Sequence, residues 1–598
     1  MNKRMGRKFR IVSTAKKVLC DIFKYNFMRT IIYLFFIIVS VLNGYIALGF
    51  IKLITDTASS VYNSEYINFR KLQYSAGSLL LLSFITYILT QYKDMYKISF
   101  DNSINEIINT QFKKKLSTID YEYYESSETH EKIHRVNDRL TNGYNMIIES
   151  TVRIIEIFFY IIVYVVFLSG INIIFALLIV LASSFSGIIA AKMSKDKYQL
   201  LVDITNLNQK RDYLNSIPRD KVTHQEYQSG RLFSAISQRF SEAYKEAEKG
   251  YLKIHFFTIL AESRSLLVFI MAIFVAYIFM SWQIILGIVN IGILLSMMIV
   301  FDNLHGKTAS LSYYISNHAE DMLVIDEYFE IMGYQDVAVK LPCHTKSSNI
   351  LFRDVSYNYP QSSRRALNNL NLEISTGEKI AIVGENGSGK TTFSNILLGL
   401  LSNFDGEVKI GDVVYTRENP IPITFVKCLN QDFKIYQMSI KDNLFIGNEE
   451  AKQKISDDEL SDLLRDIGLN NFVNNLQGRI ETNVGQLEES GIELSKGQEQ
   501  RLAIGRVLVN NTTSIWIFDE PTAYLDPLGE VEIYDILYNL SLDKTLIFIS
   551  HRLGFAKKAN RILVFDEGHI IENGSHEELL KLGGKYATIF NTQKEWYE

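Results

Sequence analysis

Cysteine is nearly absent from this chain. Cys20, Cys343 and Cys428 are scattered and odd in number, with neither the spacing of a metal centre nor the pairing of a disulfide framework. That usage fits a reducing cytosol. Proline is scarce too, seven in 598 residues, and no Pro/Ser-rich or low-complexity tract marks a flexible linker. Charge of either sign is not in excess: the net charge is −4 and 47% of residues are apolar. That balance excludes a disordered chain and one strongly drawn to nucleic acid. The length exceeds one compact domain, so at least two are expected. Whole-chain averages hide a division, because long apolar runs fill the first half and ordinary soluble composition the second.

Residues 31–51 are uncharged and long enough to cross a bilayer core as a helix. A cleavable signal peptide would be shorter and would end in a small-residue cleavage site, which is missing. Further candidate spans are 76–92, 154–170, 171–191, 264–281 and 284–301. The third and fourth are separated by a tight turn near Ser169-Gly170-Ile171-Asn172, the fifth and sixth by Ser281-Trp282-Gln283. Six spans are therefore predicted. Lys3, Arg4, Arg7, Lys8, Arg10, Lys16, Lys17, Lys24 and Arg29 precede the first, within a basic segment 1–30. Eight Lys/Arg lie in 93–151 and twelve in 192–258, against little beyond Arg70 and Lys71 in the intervening loops. Positive residues favour the cytoplasmic side, which puts both termini and both long segments inside. Those two segments are polar and nearly free of helix breakers, so they read as cytosolic extensions of the spanning helices. Each holds a candidate docking element: Leu116–His134, with Tyr121, Tyr123 and Tyr124, and Arg211–Tyr227. The tyrosines serve either helix packing or contact with the second half of the chain. At the cytosolic end of the third span, Arg153 and Glu156 share a helix face, either as a local ion pair or as part of a polar cavity.

The second half holds Gly384-Glu385-Asn386-Gly387-Ser388-Gly389-Lys390-Thr391-Thr392 between a buried strand, Lys379–Val383, and a helix. This is the G-x-x-x-x-G-K-[ST] loop, whose glycines let backbone N–H groups curl around phosphates at a helix N-terminus. Lys390 would reach the β- and γ-phosphates and the Thr391 hydroxyl would ligate Mg²⁺. A nucleoside triphosphate is the expected ligand, on the cytosolic side where ATP is. Ser514–Glu520 is an apolar strand ending in two acids: Asp519 would hold Mg²⁺ through its shell, and Glu520 would orient or activate the attacking water. His551, at the end of another strand, can position the water at the γ-phosphate. Gln431 follows a further apolar run. Tyr359 either stacks on adenine or packs in the core. Ser495, in Leu494-Ser495-Lys496-Gly497-Gln498, can cap a helix predicted over Glu499–Val509 and aim it at an anion.

Taken in order, Gly384–Thr391, Gln431, Leu494–Gln498, Asp519-Glu520, Ala523-Tyr524-Leu525-Asp526 and His551 closely resemble the nucleotide-binding domain of ATP-binding cassette (ABC) transporters. The similarity covers about 349–598. It implies an all-α six-helix transmembrane domain (31–320), a linker (321–348) and an α/β P-loop ATPase cassette (349–598). It also implies ATP and Mg²⁺ as ligands, with Thr391, Gln431 and Asp519 at the metal. In that family two cassettes close head-to-tail, so Lys390 and Thr391 of one subunit would face Ser495, Gly497 and Gln498 of the other, beside Asp526. One membrane domain followed by one cassette looks like half an exporter, working as a homodimer, with a heterodimer as the alternative, in a bacterial-type plasma membrane. Lys496 departs from the more frequent glycine and is expected to be tolerated, since the anion contacts come from Ser495 and the Gly497 backbone.

Asn430–Tyr436 and Val484–Glu493 resemble the corresponding stretches of lantibiotic-type peptide exporters, which implies a modified peptide as cargo. Lipid or hydrophobic-drug export is the alternative. An ATP-gated channel or regulatory membrane protein is a second alternative, disfavoured by Glu520. About thirty residues precede the first span, too few for the cysteine-peptidase domain that many peptide exporters carry. Cys20 has no histidine partner nearby and is expected to be inert.

Overall fold

The computed structural model describes residues 2–63, 69–170, isolated positions from 173 to 208, 210–219, 221–286, 293–294, 297–303, 306–307, 324–336 and 349–597, except 361, 363, 423–425, 489, 510–512, 523, 551 and 553. It divides into two units, Met1–Ser117 with Glu131–Tyr334, and Thr118–His130 with Gln335–Glu598.

Helices dominate the first half of the chain: α1 (Asn2–Asn63), α2 (Phe69–Thr118), the one-turn α3 (Glu122–Glu125), α4 (Ser127–Ser169), α5 (Lys221–Ser229) and α6 (Phe233–Ile285). Among the described residues four stretches are long and apolar enough to cross a membrane: Lys16–Ile54, Gln73–Thr118, Glu128–Ser169 and Leu266–Ile285. They contain the expected spans 31–51 and 76–92 and nearly all of 154–170 and 264–281. The expected span 171–191 falls largely outside the described residues, and 284–301 is described only in part. α2 has 50 residues, about 75 Å at 1.5 Å per residue, against a hydrocarbon core of about 30 Å. The basic N-terminal segment is continuous with the first spanning helix and breaks only at Asn26 (φ −137°, ψ 42°). α4 ends at the expected turn, with Gly170 N–H donating to Val166 O. α6 does not stop at Ser281-Trp282-Gln283. It runs to Ile285, because none of those three residues breaks a helix. Val41, Leu48, Tyr164, Leu168, Phe269, Met280, Met297 and Phe301 form an apolar core in the first unit.

The second unit has two sheets. One comprises β1 (Ile350–Tyr357), β2 (Leu367–Ile374), β4 (Asp405–Ile410) and β5 (Val413–Tyr415). The other comprises β3 (Lys379–Gly384), β6 (Val426–Leu429), β7 (Ile515–Asp519), β8 (Thr545–Ile549), β9 (Arg561–Asp566) and β10 (His569–Gly574). The four-stranded sheet is antiparallel in the order β2-β1-β4-β5, and the six-stranded one has the order β10-β9-β3-β8-β7-β6. Alternation along the central strands of the larger sheet feeds two cores. Ala381, Val383, Trp516, Phe518, Leu546 and Phe548 point into one. Ile380, Ile382, Ile515, Ile517, Ile547 and Ile549 point into the other. Covered on both faces, β3, β7 and β8 run parallel and read as unbroken apolar runs. The carboxyl ends of β3 and β7, where ligands bind in open α/β sheets, carry the glycine loop and the acids Asp519-Glu520.

One segment of the first half of the chain, around α3, belongs to this second unit. Beside α3, Ser402 Oγ donates to Asp120 Oδ2 (2.9 Å) and Asn403 N–H to Glu122 Oε1 (2.8 Å). Tyr121 packs on the core that holds Tyr357, with Tyr359 also at its edge. Of the two roles open for these tyrosines, contact with the second half is the one Tyr121 makes. The other expected docking element overlaps α5, in which His224 stacks on Tyr227 (6.3 Å).

Candidate functional site

β3 ends at Gly384, and the chain turns through Glu385–Gly389 into α7 (Lys390–Leu397). Two glycines are obligatory there. Gly384 has φ +153°, and a Cβ would fall 2.3 Å from Phe565 O; Gly389 has φ +106°, and a Cβ would fall 2.7 Å from Ala366 O. Lys390, only 6% exposed, donates to Gly384 O (2.9 Å) and Glu385 O (2.8 Å). Burial pushes its ammonium below the usual lysine range, opposed by Asp519 and Glu520. The Ser388 hydroxyl is buried without a hydrogen-bond partner among the described residues. A buried orphan hydroxyl and a buried cation inside a glycine turn at a helix N-terminus fit an anionic ligand.

Asp519 ends β7, level with Ile549 of β8, which is itself level with Ile382 of β3. The register thus brings the carboxylate up to the loop. Burial above all, then the Glu520 charge, pushes Asp519 up to about 6, against the pull of Lys390. Glu520 follows in the left-handed region (φ +49°). Its N–H donates to Ile549 O (2.9 Å), and its Oε2 accepts from Gln431 Nε2 (3.2 Å). Gln431, unremarkable in the sequence, is therefore at the acids. Tyr359 OH meets Thr392 Oγ1 (3.3 Å), so the tyrosine stands beside the start of α7. Burial pushes the Cys428 thiol up, in keeping with an inert residue. His551 lies outside the described residues.

Ser495 caps α8 (Lys496–Leu508): its Oγ accepts from Gln498 N–H, while Gln498 Oε1 accepts from Ser495 N–H. The helix starts three residues before the expected Glu499, because this reciprocal capping box satisfies the first orphan amides. A hydroxyl that accepts one hydrogen bond still has its proton to give to an anion. Lys496 Nζ is held by Glu499 (2.7 Å). Asp526 caps α9 (Pro527–Leu540), accepting from Gly529 N–H (3.0 Å). Ser495, Lys496, Gly497, Gln498 and Asp526 line one open hollow of about 520 Å³ with Arg501 and Tyr524. The phosphate loop is not part of its wall. Gln500 was not singled out in the sequence. Fully buried, it donates to Glu520 O (3.3 Å) and accepts from Tyr524 N–H (3.2 Å). It thus ties the signature helix to the strand end that carries the acids. A polar residue on the otherwise apolar buried face of the helix was the available signal.

A nucleotide site at the ends of parallel strands, with a signature helix on the same domain, defines an ATP-binding cassette. Residues 367–523 match the ABC transporter family model. The chain is 28% identical to the subtilin transport ATP-binding protein SpaT of Bacillus subtilis over 84% of its length and 82% of that protein. It is 26% identical to the nisin transport ATP-binding protein NisT of Lactococcus lactis subsp. lactis, over 94% and 93%. An ATP-dependent lipid A-core flippase of Bordetella avium (strain 197N) is 36% identical, but over 41% of this chain and 40% of that protein. The fold matches a bacterial Atm1-family ABC exporter with ATP bound, at a TM-score of 0.81 and 19% identity, over 94% of this chain and 99% of the other. The second half of the chain therefore carries an ABC transporter ATP-binding domain, joined to a helical first half with candidate membrane spans on the fold of an ABC exporter, which implies transport coupled to ATP hydrolysis.

Proposed function

We propose that the cargo is a modified peptide of the lantibiotic class, moved out of the cytosol by a homodimer. The observation that carries this reading is coverage. Likeness to the subtilin and nisin transport proteins runs through the membrane half, whereas likeness to the lipid A-core flippase spans only 248 residues, about the length of the cassette. Cargo is chosen in the membrane half. Lipid export is the second reading, supported by the higher identity over that shorter stretch.

The proposed layout is a basic cytosolic segment (1–30), a six-span domain (31–320) with cytosolic helical extensions, a linker (321–348) and the cassette (349–598). Both termini face the cytosol. ATP would lie along Gly384–Thr392 with adenine on Tyr359. The donor set suits a hard cation: the Thr391 hydroxyl, the Gln431 amide oxygen and the Asp519 carboxylate are oxygens, and a carboxylate pushed up to about 6 by burial gains from a neighbouring positive charge. Bound there, Mg²⁺ would offset the negative charge of the phosphates. Lys390 would exchange its loop carbonyls for β- and γ-phosphate oxygens. Glu520, tethered at its N–H and carboxylate, would hold the water in line with the β–γ bridge and take its proton as that bond breaks, with His551 at the γ-phosphate. Ser495, Gly497 and Gln498 of a second subunit, with Asp526 alongside, would close over the same phosphates.

Inside-out membrane vesicles carrying the protein test the reading. A lanthionine-containing peptide should accumulate on addition of ATP, and should not with Glu520→Gln. Accumulation of lipid or dye with no peptide uptake would overturn the peptide assignment.

A further inference from the structure

Glu156 and Tyr160 stand one turn apart on α4, on the same face. Both are buried, at 7% and 9% exposed. Across them lies the ammonium of Lys307, 3.8 Å from Glu156 Oε1 and 3.8 Å from the centre of the Tyr160 ring. Glu156 Oε2 accepts from Arg153 Nη1 at 3.0 Å. The expected local pair with Arg153 therefore exists, but it uses one carboxylate oxygen; the other faces an ammonium that the same helix does not supply. A carboxylate and an aromatic face around one ammonium make a cation cage, since the ring adds quadrupole attraction to the ion pair.

The surroundings are balanced without Lys307. A cavity of about 40 Å³ beside Glu156 is lined by three cations, Lys93, Lys97 and Arg153, and three carboxylates, Asp94, Glu149 and Glu156. That volume holds water and no peptide. Lys307 brings a fourth cation to this set, and an ammonium from elsewhere could replace it with no change in local charge. Intramembrane ionisable groups are costly and mark polar paths when they are not merely structural.

We propose that Glu156 and Tyr160 form a recognition site for a primary ammonium group of the transported substrate, occupied between cycles by the chain's own Lys307. The proposal rests on the exporter reading and narrows its substrate to a chain bearing lysine or a free amino terminus. A tethered competitor acts at an effective concentration in roughly the millimolar range. Lys307 therefore sets a threshold: weakly bound amines do not displace it, while a peptide anchored elsewhere does.

The probe is an oligolysine peptide, with its fully acetylated counterpart as control, added to the full-length protein in lipid nanodiscs. Stimulation of ATP hydrolysis is read relative to each variant's own basal rate. Only the unmodified peptide should stimulate. Lys307→Met should lower its half-stimulating concentration about tenfold, and Glu156→Gln should abolish the response. Tyr160→Phe keeps the ring and should respond as the parent does, whereas Tyr160→Leu should need more peptide. Equal stimulation by the acetylated peptide, or an unchanged or raised half-stimulating concentration in Lys307→Met, would overturn the cage. Should Lys307→Met not assemble, the Tyr160 pair decides, and equal responses in Phe and Leu overturn it. Basal ATP hydrolysis that no peptide stimulates removes the cage and leaves the exporter reading intact. That reading is lost only if the parent protein shows no Glu520-dependent hydrolysis.

Discussion

Glu520 is held in a conformation that a non-glycine residue enters at a cost of about 1–3 kcal/mol, at φ +49°. The surrounding hydrogen bonds hold it there: Ile549 takes its N–H, Gln500 donates to its carbonyl and Gln431 to its carboxylate. Glu520→Gln keeps shape and hydrogen bonding but removes the proton acceptor, so hydrolysis should fall about 10²–10⁴-fold while ATP binding persists. Nucleotide binding and phosphate release, measured side by side, check this; near-parental release would remove Glu520 from the proposed role. Asp519 makes a separate prediction, for the nucleotide-free protein. Its folded pKa, about 6, lies above the ordinary carboxylate value, so the folded state holds this proton more tightly than the unfolded chain. The group therefore lowers stability increasingly as pH rises through the window from about 4 to 6, and by a constant amount above it. Asp519→Asn should raise the melting temperature most above pH 6 and hardly at all near pH 4. A gain that is uniform across that range would exclude the buried charge as its cause.

At the scale of elements, the phosphate loop was legible because a glycine pattern between an apolar strand and a helix has one structural meaning. The signature helix was legible as a capped helix but misplaced by three residues, since Gln498 reads as a helix interior residue until its side chain is seen returning to Ser495. Gln431 was placed only through the family resemblance and Gln500 not at all, because their contacts depend on neighbours brought in by the sheet order, not on spacing. The segment around α3 was half legible. Its tyrosines and acids are ordinary surface residues of a long polar stretch, and only the fold shows Asp120 and Glu122 bonded to Ser402 and Asn403. Because this segment joins α2 to α4 while packing with the cassette, it is suited to transmit motion. Hydrogen bonds to charged groups contribute about 1.5–3 kcal/mol each. Combining Asp120→Ala with Glu122→Ala should leave ATP hydrolysis at half the parental rate or more while cutting ATP-driven uptake at least about tenfold. Uptake that falls only in proportion to hydrolysis would mean that the segment does not couple the two.

For the whole molecule, the positions of the two proposed halves of the ATP site matter most. Lys390, Ser388, Asp519, Glu520 and Gln431 gather around the loop, whereas Ser495, Lys496, Gly497 and Asp526 line a separate hollow. Both groups are anion-ready: a buried ammonium in a glycine turn in one, a capped helix N-terminus with a hydroxyl proton to donate in the other. A single cassette that presents two half-sites on separate surfaces can complete them with a second copy. Closed two-fold symmetry would then make two identical sites, each with one half from either chain. Lys390→Ala should disable the loop half of every site it enters, and Ser495→Arg the signature half. Each variant alone then has no intact site. In a mixed dimer both lesions fall into the same composite site, because the loop carrying Lys390→Ala faces the signature carrying Ser495→Arg, and the other site is whole. Co-expressed, differently tagged subunits purified through both tags should therefore recover ATP hydrolysis, up to about half the parental rate if the two sites fire independently, where neither variant alone shows any. If verified mixed dimers stay as inactive as both parents, either the sites are not shared or both must fire together. Titrating ATP separates these cases: shared but interdependent sites still bind one nucleotide per mixed dimer with parental affinity, and unshared ones do not.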